Sequence, residues 1–297
     1  MFPKVQDRHK PGSPLVPNGL GVFYVLVSTI YLFLLHYFQS VNSTVDQGFP
    51  ALDLAVCILF GGFMGLLDDW MDLRWRYKAF LPIFAALPLG VLRQGTPIMS
   101  AYIFGKIDFS QIMFWVIPGE MIFYLGVIPL IATVTTNTVN QLGGLNGLET
   151  ICPSFVLVAL MLASGPDYRV LLYIPLAVYL ILAFFNFQGK IFVGNTGSFA
   201  MGITLASYAI IANIEQTLLI AILPYIFNSS LKLLNIIFFK RLPAIKLKSN
   251  KLFADHRRSL LTLIAYYKPL SERQLVLVVS FIFAIFSGLA VLVSWPL

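Results

Sequence analysis

Asp68 and Asp69 stand side by side at the end of an apolar run, in the string Gly65-Leu-Leu-Asp68-Asp69-Trp-Met-Asp72-Leu-Arg74-Trp-Arg76-Tyr-Lys78. Adjacent carboxylates repel one another, and where hydration is poor such a pair has a cation to hold or a proton to move. Mg²⁺ prefers one or two carboxylates together with substrate phosphates. Lys78 and the two arginines supply positive charge for phosphate oxygens. The plainer alternative is a charged helix end.

Three further clusters follow. In Asn137-Thr-Val-Asn140-Gln-Leu-Gly143-Gly144-Leu-Asn146-Gly147-Leu-Glu149, asparagines offer a donor and an acceptor to a nucleobase edge or a metal. The glycines let backbone N–H groups approach a ligand closely. A turn needs one Asn-Gly, not this density. In Phe192-Val-Gly194-Asn195-Thr196-Gly197-Ser198, polar residues open a helix, as a cap or as donors to an anion. The stretch 239–273 carries Lys240, Arg241, Lys246, Lys248, Lys251, His256, Arg257 and Arg258, which suits anionic lipid as well as a diphosphate. No P-loop, dinucleotide glycine pattern or metalloprotease helix occurs.

The elements that position these clusters are membrane helices. Of the 297 residues, 58% are hydrophobic and 11% charged, against roughly 45–50% and 25% in soluble domains. That excludes a disordered tail, a coiled coil and a disulfide scaffold. It predicts an all-α polytopic bundle forming a single integral-membrane domain over 1–297. Runs near the 20 residues a span needs occur at 20–38, 50–68, 79–93, 117–136, 148–165, 170–187, 192–213, 215–238 and 274–296. The third is short, and the seventh contains Asn195.

Placing residues 1–19 in the cytoplasm puts the loops at 69–78, 137–147, 188–196 and 239–273 on the same side. That side then holds 16 of the 20 Lys and Arg residues, as the positive-inside rule requires. Arg93, Lys106 and Arg169 fall opposite, and Lys232 sits inside a span. The net charge of +7 is therefore read as membrane orientation with anionic lipid or phosphate ligands, and no nucleic acid is expected. Cys57 and Cys152 lie in apolar runs, so neither a disulfide nor a zinc site is expected. The polar N-terminal stretch gives no cleavable signal. The sequon Asn42-Ser43-Thr44 falls in the first outer loop and reads as a polar turn. A carboxylate pair, an Asn/Gly loop, a polar helix start and many cations on one face point to phosphoryl transfer with a lipid as second substrate.

At these residues the sequence resembles the polyprenyl-phosphate N-acetylhexosamine-1-phosphate transferases, and among them the eukaryotic UDP-GlcNAc:dolichyl-phosphate type. Asp68-Asp69-x-x-Asp72-Leu-Arg-Trp-Arg-x-Lys78 is similar to the family's first motif. Asn140 through Asn146-Gly-Leu-Glu149 is similar to its Asn-Gly-Leu-Glu loop. Phe192-Val-Gly194-x-Thr196 resembles a Phe-Val-Gly-Asp-Thr motif, with Asn186 shortly before it. Pro269-Leu-x-Glu272-Arg looks like the lead into the last span.

The resemblance implies that a dolichyl-type lipid phosphate attacks the β-phosphorus of UDP-GlcNAc, releasing UMP. It makes Asp68 and Asp69 catalytic, and Asn140 and Asn195 ligands of Mg²⁺. Lys78 and Arg241 would hold diphosphate oxygens. Asn146 and the Gly143-Gly144 backbone would face uridine, and Asn137, Glu149, Asn186, Lys240 and His256 complete the substrate-binding set. It also implies an endoplasmic-reticulum address with the site facing the cytosol, and leaves monomer or homodimer open. Three departures stand out. Position 195 is Asn where the family has Asp, which predicts weakened activity or a disabled homologue. Pro17-Asn18 replaces Pro-Glu. Nine spans replace the usual ten, the first being absent. Within the basic stretch, Lys240 and Arg241 are preferred to His256 as diphosphate ligands. A bacterial or archaeal relative using another polyprenyl phosphate or UDP-sugar is the alternative.

Overall fold

The computed structural model describes residues 2–42, 50–92, 94–101, 105–239, 244–248 and 250–294. The helices are α1 Gly21–Asn42, α2 Pro50–Met71, α3 Trp75–Ala85, α4 Leu87–Val91, α5 Gly119–Ile122, α6 Ile128–Gln141 and α7 Leu148–Ala163. They continue with α8 Pro166–Arg169, α9 Tyr173–Phe187, α10 Gly194–Ile211, α11 Glu215–Ala221, α12 Leu223–Phe239, α13 Leu260–Tyr267 and α14 Glu272–Ser294. Among the described residues each of the nine apolar runs lies largely on helix. Among the described residues five helical units are long and apolar enough to cross a membrane, or six with the pair α11 and α12, which bends by 59°. The chain is a polytopic helical membrane protein.

The remaining runs differ from simple spans for physical reasons. The run at 79–93 starts earlier, at Trp75, and breaks at Ala86 between α3 and α4, where Pro82 and Pro88 interrupt the backbone ladder. Helix α10 is less apolar, but every residue from Thr196 to Ile211 is buried. It packs against α1, α2, α6 and α7 and so tolerates hydroxyls that lipid would not. Thr204, for example, hydrogen bonds to the Tyr24 hydroxyl at 2.7 Å.

Glycine makes this close packing possible. A Cβ on Gly65 would lie 2.2 Å from the Asn195 carbonyl oxygen, and one on Gly202 would lie 2.6 Å from the Thr136 Cα. Small residues of this kind let membrane helices touch backbone to backbone. Gly65 thereby brings the end of α2 against the start of α10, which is where the chemistry-bearing motifs lie.

Among the described residues four two-stranded antiparallel hairpins lie before or between the helices: β1 Lys4–Gln6 with β2 Leu15–Pro17, β3 Ile98–Ala101 with β4 Gly105–Asp108, β5 Met113–Phe114 with β6 Ile117–Pro118, and β7 Lys246–Lys248 with β8 Lys251–Phe253. The first is tied to the α10 entry, because Phe192 N donates to the Pro17 carbonyl at 2.8 Å. The N-terminal segment is therefore folded over the bundle rather than a free tail. Of the sequon, Ser43 and Thr44 lie outside the described residues.

Candidate active site

The two adjacent carboxylates have different surroundings. Asp69 reaches across to α10 and accepts from Asn195 N at 2.8 Å, Thr196 N at 2.9 Å and Thr196 Oγ1 at 2.7 Å. The first N–H groups of a helix have no partner within it and carry its positive dipole end, so Asp69 acts as a cap supplied from another helix. Gly194, at φ +70, is required there: a Cβ would lie 2.7 Å from Asp69 Oδ2.

Asp68 is buried, 2% exposed. Its Oδ1 accepts from Lys78 Nζ at 2.7 Å and from Leu73 N at 3.1 Å, while Oδ2 is buried with no partner among the described residues. The turn at Asp72, φ 46, folds α3 back so that Lys78 meets Asp68, with exposed Asp72 3.8 Å from the same ammonium.

Asn140 and Asn195, the expected metal ligands, meet directly. Asn140 Nδ2 donates to Asn195 Oδ1 and to Ser198 Oγ, both at 2.8 Å. Asn137 instead ties α6 to α3, donating to the Ala79 carbonyl at 3.1 Å.

Within the Asn/Gly loop the expected nucleotide-facing residues divide. Gly144 N donates to Glu149 Oε1 at 3.0 Å, and both residues line a cavity of about 280 Å³. Gly143 packs on the same carboxylate, which a Cβ would approach to 2.3 Å. Asn146 is buried behind this wall. Its Nδ2 donates to Asp7 Oδ2 at 2.7 Å and to Glu272 Oε1 at 2.9 Å, and its backbone N donates to the same Glu272 oxygen at 2.8 Å. Asn186 is likewise buried, accepting from Gly147 N at 2.8 Å and donating to the Ile191 carbonyl at 2.8 Å. These two asparagines shape the loop rather than line the opening.

The rest of the cavity wall is what sequence reasoning missed. Gln6, Asp7, Arg8 and His9 of the first hairpin, with Asn18, face Asp69, Gly194 and Asn195 across it. The cue in the sequence was Asn18, already marked as a departure from the family pattern. Nothing local announced that Asp7 would meet Asn146.

Lys240 and Arg241 lie outside the described residues. His256 Nε2 accepts from Ala244 N at 3.3 Å and lies 3.8 Å from Asp255 Oδ1, within the loop's own fold. Arg257 stacks over Tyr266 and Tyr267, at 4.5 and 5.0 Å from the ring centroids. Part of the basic loop is thus committed to its own packing. Asp255, beside Lys246 at 2.7 Å, is held below the usual carboxylate range by that hydrogen bond.

The site therefore joins the ends of α2 and α6 to the starts of α7, α10 and α14. Residues 51–213, which span α2 to α10 and carry the carboxylate pair, the Asn/Gly loop and the Asn195 segment, match the family described as Glycosyl transferase family 4. The chain belongs to glycosyl transferase family 4.

Relatives extend the similarity of this family 4 transferase beyond the matched segment. It is 30% identical to a Saccharolobus solfataricus protein provisionally named UDP-N-acetylglucosamine--dolichyl-phosphate N-acetylglucosaminephosphotransferase, over 97% of this chain and 87% of the relative. Proteins carrying that name without qualification match in Dictyostelium discoideum, at 30% identity over 75% of this chain and 62% of the relative, and in Saccharomyces cerevisiae, at 29% over 75% and 59%. The chain spans about three fifths of the length of these last two.

Proposed function

We propose that this family 4 transferase moves GlcNAc-1-phosphate from UDP-GlcNAc to a dolichyl-type polyprenyl phosphate, releasing UMP, the first step of lipid-linked oligosaccharide assembly for N-glycosylation. The observation that carries the reading is the reach of the similarity to the Saccharolobus protein. It covers 97% of the chain, well beyond the segment 51–213 that carries the carboxylate pair, the Asn/Gly loop and Asn195.

In this reading an oxygen of the lipid phosphate attacks the β-phosphorus of UDP-GlcNAc. The bond from that phosphorus to the bridging oxygen breaks, and UMP leaves with the electron pair. Enzymes of phosphoryl transfer act mainly by positioning and by stabilising charge. Lys78, now on Asp68, is drawn to the diphosphate. Its departure uncovers Asp68, whose Oδ2 carries no hydrogen bond, to take the proton of a protonated acceptor phosphate. Asp69 is fully engaged with the α10 start and acts as the positioning residue that holds Asn195 and Thr196 at the cavity wall.

Among the described residues no group of three His, Cys, Asp or Glu side chains could hold a metal. The donor chemistry fits Mg²⁺ carried largely by the substrate, with the amide oxygens of Asn140 and Asn195 as neutral ligands. When bound there, the ion supplies charge neutralisation at the diphosphate. The 16-to-3 distribution of basic residues supports a cytosolic site, and the endoplasmic-reticulum location rests on the eukaryotic resemblance.

The experiment is product analysis. Purified protein given labelled UDP-GlcNAc, dolichyl phosphate and Mg²⁺ should yield a lipid-linked GlcNAc diphosphate. Label passing into lipid from UDP-MurNAc-pentapeptide, but not from UDP-GlcNAc, overturns the assignment.

A further inference from the structure

The end of the bundle opposite the candidate active site carries an apolar hairpin with no role in the chemistry above. Helix α6 ends at the site, and α3 begins there with Lys78 in its first turn. The chain between α4 and α5 therefore lies at the other end. Ile112, Met113, Phe114, Trp115, Val116 and Ile117 follow one another along it, and all six are exposed, Trp115 to 91% and Val116 to 84%. No charged residue occurs between Asp108 and Glu120. Water disfavours so long an exposed apolar run, and such a patch marks a contact with another apolar phase.

Phe114 pairs with Ile117, so Trp115 and Val116 form a two-residue turn. Trp115 has φ 59, a backbone region that bulky side chains rarely adopt and that Asn-Gly turns fill in ordinary hairpins. The hairpin is nonetheless firmly seated. Gly119 N donates to the Ile112 carbonyl at 2.8 Å, and the Phe109 ring lies 5.5 Å from that of buried Phe123. The Asp108 carboxylate accepts from Ser110 Oγ at 2.6 Å and from Gln111 Nε2 at 2.8 Å. These polar groups satisfy one another, and the tip just before α5 is left wholly apolar.

The neighbouring span is short. From Trp75 to Val91, α3 and α4 rise at most about 26 Å, below the roughly 30 Å of a hydrocarbon core. Val91 and Leu92 are exposed where it ends. A Cβ on Gly90 would lie 2.6 Å from the Tyr124 carbonyl oxygen, so this end stands beside the turn Phe123–Val127 on which Phe109 rests. A short span must thin the bilayer or find further apolar surface. The hairpin tip supplies that surface, continuous with exposed Met121 and Leu125 of the next span.

We propose that Phe114, Trp115 and Val116 insert into the lipid leaflet opposite the active site, at the headgroup–acyl boundary where tryptophan is favoured. The partner is the phospholipid bilayer itself, and the insertion makes up the missing length of the α3–α4 span.

The test uses the full chain at one copy per nanodisc of zwitterionic phospholipid. Cys57 and Cys152 are buried, so a nitroxide can be placed on Val116→Cys alone. The label should be more accessible to molecular oxygen, which concentrates in lipid, than to a water-soluble nickel chelate, and Trp115→Asp in the same labelled chain should reverse that order. As a second measurement, lipid brominated on its acyl chains should quench the part of the tryptophan fluorescence that Trp115→Tyr removes. Preferential access of the nickel chelate to the parent label, or Trp115 emission untouched by brominated lipid, overturns the proposal. A label shielded from both reagents marks a protein contact and overturns it equally.

Discussion

Asp69 closes the open end of a helix that begins 125 residues later, taking the Asn195 N–H at 2.8 Å. Asp68, its neighbour in sequence, turns to Lys78 instead. One Asp-Asp pair therefore does two jobs, and the two can be separated by substitution.

Asp69→Ala removes three hydrogen bonds from the α10 start and should cost about 1–2 kcal/mol, the usual worth of a helix cap. Asp68→Asn keeps an acceptor for Lys78 and should leave thermal stability closer to the parent while abolishing turnover. Unfolding curves in detergent, read beside UMP release, check both. Equal stability of the two variants would remove the capping role.

Asn195→Asp should raise turnover, most clearly at limiting Mg²⁺. The carboxylate restores an anionic ligand and accepts from Asn140 Nδ2 through a charge-assisted bond, roughly twice as strong as the present amide pair. A Mg²⁺ titration of UMP release is the measurement. Coincident curves for the two proteins would show that the neutral amide suffices.

Asp7→Ala should loosen the wall that the first hairpin gives the cavity. Asn146 Nδ2 would keep Glu272 but lose its 2.7 Å bond to Asp7, and an unpaired buried polar group costs about 1–3 kcal/mol. The expected result is a several-fold higher KM for UDP-GlcNAc with kcat little changed, together with faster proteolysis before residue 20. Unchanged nucleotide affinity would place the nucleotide elsewhere.

The helices were legible because a membrane demands long apolar runs, and their ends coincide with the polar motifs. The interruption at Ala86 was foreshadowed by a short third run. The seventh run was doubtful because Asn195 and several hydroxyls dilute it, and burial at the centre of the bundle resolves that. Within the site, Asp68, Asp69, Asn140 and Asn195 declared themselves by type and spacing. The clasp of Asp7, Asn146 and Glu272 did not, since its partners lie 126 and 139 residues apart in sequence. The hairpin that forms the cavity wall has strands of three residues, too short for an alternating pattern to show. The separate fates of Asp68 and Asp69 follow from the close approach at Gly65 and Gly194, which no spacing rule reveals.

The most direct measurement is UMP release from UDP-GlcNAc, dolichyl phosphate and Mg²⁺ by the unsubstituted protein, run beside Asp68→Asn and Asn195→Asp. The account predicts slow, acceptor-dependent release that vanishes in Asp68→Asn and rises in Asn195→Asp. Release that survives Asp68→Asn, or silence from both the chain and Asn195→Asp, would contradict it.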